Sequence, residues 1–135
     1  MTTELLAPAG GQEALVAAVQ SGADAVYMGF GAFNARRSAR NFSDEEFRAA
    51  VSYCHLRGVK VYLTLNTLVT DRELPALAAE ARTASECGVD AILVQDWGVL
   101  STLQKIIPDV PLHASTQMSL HTLSGVKESA RLRMT

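Results

Sequence analysis

The sequence contains little cysteine, and what it lacks excludes several classes of protein. Cys54 and Cys87 are its only cysteines, and they form no C-x-x-C pair. This argues against a disulfide framework, a zinc knuckle or a complete iron–sulfur site, and we expect no metal site in the chain. No apolar run approaches the ~20 residues that span a bilayer, and the first residues lack the features of a signal peptide. We therefore expect a cytoplasmic protein with no membrane contact.

Charge and size set further bounds. The chain has 135 residues, of which 48% are hydrophobic and 19% are charged, so it can form a core and is not intrinsically disordered. The formal net charge is −2, so a basic site for nucleic acid would have to be local rather than spread over the surface. The length fits one ordinary domain or a part of a larger one.

Short β-rich runs alternate with amphipathic helical patterns along the whole chain. Such alternation with short connections predicts parallel strands joined by right-handed crossovers. The predicted strands lie at 5–8, 25–29, 60–66, 91–96 and 112–118. The predicted helices lie at 12–21, 44–57, 71–86, 99–107 and 122–132.

The helix ends carry recognisable signals. Ser43 and Glu46 fit a capping box at the start of the second predicted helix. Thr70 and Glu73 repeat that pattern before the third, although Pro75 also suits a start just before it, with proline at the first helical position. Three predicted helices end in a glycine that can adopt the left-handed conformation: Gly22, Gly58 and Gly88.

The side-chain pattern of the strands favours a (β/α) barrel over a doubly wound sheet. The segment 7–11 (APAGG) matches neither G-x-G-x-x-G nor a Walker A sequence, which a nucleotide-binding doubly wound fold would carry. Polar residues alternate with apolar ones in the strands at 60–66 and 112–118, whereas both faces of a doubly wound sheet are apolar. A barrel needs eight units and about 250 residues. We therefore predict an α/β fold, an incomplete parallel TIM-type (β/α) barrel of which five βα units are present.

Several ordered segments resemble the amino-terminal region of the peptidase U32 family. They are ELLAPAG (4–10), GADAVYMG (22–29), RGVKVYLTLN (57–66), GVDAILVQD (88–96) and HASTQ (113–117). No single motif is decisive, but the ordered set is specific and covers nearly the whole chain. The resemblance implies that residues 1–135 are the amino-terminal part of a U32-type barrel domain.

The resemblance also implies a choice of activities. Members of the family were named collagenase-like proteases, while several relatives support the hydroxylation of tRNA, ribosomal RNA or ubiquinone precursors without molecular oxygen. The latter are associated with an iron–sulfur cluster, and the RNA-modifying types with prephenate. The cysteines of the family signature lie downstream of the matched segment, so we expect no cofactor within this chain and a cluster only in a longer protein.

The connection after the second predicted strand, 30–42, is longer than usual, and long loops are often functional. Arg36 and Arg37 lie in it. Guanidinium groups bind carboxylates and phosphates, so these arginines suit a small anionic substrate or an RNA backbone. The alternative is a solvated loop whose arginines pair with the nearby Asp44 and Glu45.

The ends of the later strands supply further candidates for substrate binding. In a barrel, ligands bind at the carboxyl ends of the strands. His113 could also transfer protons, or it could belong to a polar layer inside the barrel. Asp96 could instead cap the following helix. The candidates at the strand ends are Asn66, Gln95, Asp96, His113, Ser115 and Gln117.

No hydrolytic constellation is recognisable, so the catalytic residues stay unknown. The sequence has no H-E-x-x-H and no G-x-S-x-G, and Cys54 and His55 are adjacent in a helix and do not face each other. We expect part of an enzyme that hydroxylates RNA; the alternatives are a peptidase and a non-catalytic fragment or partner subunit. Its partners would be RNA or a small anionic substrate, together with the remainder of the barrel or a second copy of the chain.

Overall fold

The computed structural model describes residues 3–35 and 42–135. In these residues, five strands alternate with five α-helices. The strands are β1 (Leu6–Pro8), β2 (Ala25–Met28), β3 (Lys60–Leu65), β4 (Ala91–Val94) and β5 (Leu112–Ala114). The helices are α1 (Gln12–Gln20), α2 (Asp44–His55), α3 (Leu74–Cys87), α4 (Trp97–Ile106) and α5 (Leu123–Arg131), with a 3₁₀ helix at Thr116–Met118.

The sheet has the topology of a (β/α) barrel. All neighbouring strands are parallel, and their order in space is their order in the chain, β1 to β5. In a doubly wound sheet the order of the strands reverses at a switch point, whereas here each new strand is added on the same side of the one before it. Beyond β5, Met134 pairs with Leu112 and the amide of Ala114 donates to the carbonyl of Thr135, where a sixth strand would lie. The predicted incomplete TIM-type barrel is therefore confirmed.

The core lies between the outer face of the sheet and the helices. Strand alternation sends every second side chain outward, and Val61, Leu63 and Leu65 of β3 are fully buried there. Phe47 of α2 packs in this layer and stacks on Phe30, with ring centroids 4.7 Å apart. Burial of this one face fixes the register of each strand and leaves the other face to line the barrel interior.

Most of the predicted helix ends are confirmed. Gly22, Gly58 and Gly88 have φ of 89°, 71° and 83°, the left-handed conformation that glycine adopts without strain. At the start of α2, the Glu46 amide donates to Ser43 Oγ (3.3 Å) and the Ser43 amide donates to Glu46 Oε2 (2.9 Å), which completes the capping box.

Helix α3 begins at Leu74 with Pro75 in its first turn, which is the later of the two predicted starts. Thr70 and Glu73 do bond each other, since the amide and hydroxyl of Thr70 both donate to Glu73 Oε2 at 2.8 Å. This contact closes the turn that precedes the helix rather than capping the helix itself. None of the helices in the described ranges is long and apolar enough to cross a membrane.

The predicted extent of the last strand is wrong. Strand β5 ends at Ala114, and the chain turns into the 3₁₀ helix because Ser115 Oγ accepts from the amide of Gln117 (3.3 Å). A serine hydroxyl competes in this way with strand pairing. Gln117 is therefore exposed on the turn and does not project along the strand with His113 and Ser115.

Replacing Ser43 with alanine should remove the cap of α2. We expect the free energy of unfolding in urea to fall by about 1 kcal/mol, the usual effect for an N-cap serine. The matched control is Ser52→Ala, at an exposed position inside the same helix, which should change stability by only a few tenths of a kcal/mol. Equal destabilisation of the two variants would show that the capping box does not stabilise α2.

Candidate functional site

The concave inner face of the sheet forms a cavity of about 430 Å³, whose lining is mostly apolar and carries several polar groups. It is lined by the inward side chains of the strands, because the alternation that buries Val61 and Leu63 outside turns Tyr62 and Thr64 inward. The side chains that line it include Tyr27, Tyr62, Thr64, Asn66, Leu93, His113 and Ser115. Their tyrosine, amide, imidazole and hydroxyl groups suit a ligand with several hydrogen-bonding atoms.

Asn66 joins three elements at the carboxyl ends of the strands. Its Oδ1 accepts from the amide of Ala35 (3.1 Å), and its Nδ2 donates to Ser115 Oγ (3.3 Å). Ala35 belongs to the β2–α2 connection, Asn66 directly follows β3, and Ser115 directly follows β5. Each end of the side-chain amide thus makes one of its two possible bonds, which fixes its orientation and ties the rim of the cavity together.

The first part of the β2–α2 connection packs closely against this rim. Asn34 is 1% exposed, and a Cβ on Gly29 would lie 2.6 Å from Asn34 Cγ, so only glycine leaves room for this side chain. Phe30 pairs with Phe42 as an isolated parallel bridge, so the connection leaves and returns at neighbouring points. The predicted anion-binding residues Arg36 and Arg37 lie outside the described residues, and in the chain they directly follow Ala35.

Three side chains bond each other on the amino-terminal side of the sheet. Tyr62 Oη donates to Glu4 Oε1 (2.6 Å), and Lys60 Nζ donates to Glu4 Oε2 (2.8 Å). The hydrogen bonds from Lys60 and Tyr62 lower the pKa of Glu4 below its usual value. Burial, with the neighbouring carboxylate of Glu4, raises the pKa of Tyr62. Tyr62 therefore remains a protonated donor, and this cluster fixes its ring under the cavity.

His113 lies against that ring inside the barrel. The ring centroids of His113 and Tyr62 are 5.0 Å apart in an edge-to-face arrangement. Burial lowers the pKa of His113, although Glu4 opposes the shift, so the imidazole is neutral at neutral pH. A neutral imidazole offers one hydrogen-bond donor and one acceptor. This suits both predicted roles of His113, as a member of a polar layer inside the barrel and as a group that binds a ligand.

The structure separates the other strand-end candidates from this cavity. Asp96 Oδ1 accepts from the amides of Gly98 (2.7 Å) and Val99 (3.0 Å), so its carboxylate caps α4, the alternative that the sequence left open. Gln95 is half-buried at the end of β4 and is not among the residues that line the cavity, nor is the exposed Gln117. Asn66, His113 and Ser115 are the strand-end candidates that the structure brings together.

The cysteines do not fit an iron–sulfur cluster or a catalytic thiol. Cys54 is fully buried in the core, and burial raises its pKa to about 11. Burial also raises the pKa of Cys87, on α3. Within residues 3–35 and 42–135, no group of three or more His, Cys, Asp or Glu side chains could hold a metal ion. His55 Nε2 instead lies 2.9 Å from Asp90 Oδ2, away from the cavity lining.

Replacing Asn66 with alanine should release the β2–α2 connection from β5. We expect the unfolding free energy to fall by about 1–2 kcal/mol, since two hydrogen bonds of about 1 kcal/mol each are removed. A double-mutant cycle with Ser115→Ala checks the Asn66–Ser115 bond, because the two effects should be less than additive. Fully additive effects would mean that this bond does not stabilise the folded protein.

Comparisons with known proteins place this chain among a set of RNA-modifying and proteolytic relatives. The sequence profile of Peptidase family U32 matches residues 10–135. The chain is 40% identical over 126 residues to the 23S rRNA 5-hydroxycytidine C2501 synthase of Escherichia coli, covering 92% of this chain and 18% of that protein. It is 36% identical to tRNA hydroxylation protein P1 of Bacillus subtilis (92% and 29%) and 33% identical to a collagenase of Porphyromonas gingivalis (95% and 31%). The chain thus spans less than a third of the length of these relatives.

Solved structures agree with the barrel topology. The structure of the U32 peptidase Mk0906 superposes with a TM-score of 0.75 at 16% identity, covering 98% of this chain and 56% of that chain. Phosphonopyruvate hydrolase superposes with a TM-score of 0.65 at 18% identity, covering 99% and 53%. At these identities the likeness establishes the fold.

Proposed function

Because the chain belongs to Peptidase family U32, we propose that residues 1–135 form the amino-terminal, substrate-binding part of an enzyme that hydroxylates tRNA or ribosomal RNA. The relatives from Escherichia coli and Bacillus subtilis are named for RNA hydroxylation, and the chain is 40% and 36% identical to them. In this proposal the chain contributes binding and orientation. The redox group, including any iron–sulfur cluster, is held by residues outside 1–135, since Cys54 and Cys87 do not fit that role.

The observation that carries this proposal is the position of Asn66. Its side chain ties Ala35 to Ser115 at the carboxyl ends of the strands, where barrel enzymes bind their substrates. Arg36 and Arg37 directly follow Ala35 in the chain. Two arginines that follow this segment in the chain suit an RNA substrate, whose phosphates they can neutralise while a base is read by hydrogen bonds.

The cavity suits one nucleobase. Enzymes that modify a base within a structured nucleic acid take that base out of its stack. A volume of about 430 Å³ lies within the range of ~300–1,000 Å³ that is usual for small-ligand pockets. Tyr27 and the neutral His113 present aromatic rings for contact with a base, and Asn66 and Ser115 present polar atoms at the rim. His113 is the residue to which we assign any proton transfer.

Proteolysis is the second candidate, and the 33% identity to a collagenase favours it. The described residues that line the cavity do not supply a nucleophile bonded to a base. Ser115 Oγ accepts from Asn66 Nδ2 and the Gln117 amide, and the thiol of Cys54 is buried. A peptidase function would therefore require catalytic groups other than Ser115 and Cys54.

Replacing Arg36 and Arg37 together with alanine, in the full-length protein, should weaken RNA binding. We expect the slope of log K against log salt to fall by about one for each phosphate that is no longer neutralised, with little change in melting temperature. Filter binding of total tRNA and of ribosomal RNA over a salt series measures this. Depletion of hydroxylated nucleoside in RNA from cells that carry the variant, measured by mass spectrometry, would link the arginines to the reaction.

The matched control removes the same charge elsewhere. Arg82 and Arg131 are exposed on α3 and α5, and their double alanine variant should bind RNA with an unchanged salt slope. Equal weakening in both double variants would mean that the effect of Arg36 and Arg37 is one of net charge.

Two results together would contradict the proposal and favour a peptidase. The anaerobically purified protein would cleave gelatin, and cells that lack the protein would retain all of their hydroxylated nucleosides.

A further inference from the structure

Glu80, in the middle of α3, contacts the β2–α2 connection. Its Oε2 accepts a hydrogen bond from the amide of Ala32 (3.2 Å). Gly31 has a φ of +63°, and a Cβ built on it would lie 2.2 Å from the same carboxylate oxygen. The connection therefore approaches Glu80 as closely as the absence of a side chain at residue 31 allows.

The environment of this carboxylate is unfavourable for a charge. Its Oε1 is buried and has no hydrogen-bond partner in the part of the chain that the structure describes. Burial raises the pKa of Glu80 to about 7, the Ala32 amide opposes this shift, and Asp44 at the start of α2 adds to it. Asp44 is the charged side chain, among those described, that acts on Glu80. A glutamate placed here destabilises the fold when it is ionised, so stability alone does not account for it.

Glu80 and Asn66 hold the same short segment from two sides. Asn66 binds the Ala35 amide from the inner face of the barrel, and Glu80 binds the Ala32 amide from the helix layer. Both side chains belong to the third βα unit, whereas the segment between them belongs to the second. We propose that Glu80 is a positioning residue, which acts together with Asn66 to set where residues 31–35 lie and so where the RNA-binding connection begins.

This inference rests on the proposed function, and two measurements on the full-length protein separate them. The first is amide hydrogen exchange of residues 31–35 by mass spectrometry, which needs no substrate. Glu80→Ala should speed this exchange about tenfold, because the Ala32 amide no longer has its acceptor. Glu80→Gln should restore slow exchange, since its amide oxygen can accept the same bond. Glu86→Ala, an exposed position on the same helix, is the control and should leave the exchange unchanged.

The pH dependence of amide exchange in residues 31–35 distinguishes a positioning role of the Glu80 carboxyl group from a role in filling space. Burial raises the pKa of Glu80 from 4.5 to about 7, against the opposing effect of the Ala32 amide. In this proposal, undocking of the segment exposes the carboxylate to water and removes the burial, so Glu80 binds a proton more tightly in the docked state than in the undocked one. Protection of residues 31–35, corrected for intrinsic exchange, should therefore be stronger at pH 6 than at pH 8. In Glu80→Gln this difference should disappear. Wild-type exchange rates in Glu80→Ala, or an unchanged pH difference in Glu80→Gln, would overturn the inference.

The second measurement is the hydroxylation of RNA. Glu80→Ala should raise KM for the RNA by about fivefold with kcat changed by less than twofold, because the connection is displaced while the reacting groups stay in place. Glu80→Gln should recover the wild-type KM at pH 7. A fall in kcat with unchanged KM would contradict a positioning role. If the wild-type protein hydroxylates no RNA, the proposed function fails, and the exchange result still decides whether Glu80 positions the segment.

Discussion

The parallel pairing of five strands in chain order is the constraint on which the rest of this structure depends. It brings the carboxyl ends of all five strands to one edge, so residues that are far apart in sequence meet there. Asn66 and Ser115 are 49 residues apart, and they bond only because β3 and β5 end at the same level of the sheet. The apolar outer face fixes this arrangement, since a one-residue slip would turn Val61 and Leu63 into the barrel.

The polar groups of the inner face lie in two regions. On the amino-terminal side, Glu4 satisfies Lys60 and Tyr62 and so fixes a ring beneath the cavity. At the carboxyl ends, Asn66 satisfies the Ala35 amide and Ser115, and the cavity opens beside them. The first region holds the interior together, while in the proposed function the second presents groups to a ligand. This division is typical of barrel enzymes, in which stability and chemistry reside at opposite ends of the strands.

Local signals in the sequence are sufficient to predict the architecture and insufficient to predict the site. Gly58 and the Ser43–Glu46 pair act within a few residues, so they predict the helix ends, and the alternation of Tyr62, Thr64 and Asn66 predicts an inward polar face. The long-range partners leave no such signal. Glu4 and Tyr62 are 58 residues apart and Glu80 and Ala32 are 48 apart, so only the fold reveals these contacts. The predicted end of β5 is wrong because the Ser115 side chain caps a turn. The alternation of polar and apolar residues around Ser115 predicts a continuing strand and gives no signal of that turn.

The most direct test of the account asks at which end of the barrel RNA binds. A photoreactive phenylalanine analogue placed in the full-length protein at Thr116, exposed just beyond β5, probes the carboxyl ends of the strands. The same analogue at Asp109, exposed just before β5, probes the amino ends. If RNA binds at the carboxyl ends, we expect crosslinks to tRNA or ribosomal RNA from position 116 and few from position 109. Crosslinks from position 109 and none from position 116 would contradict it.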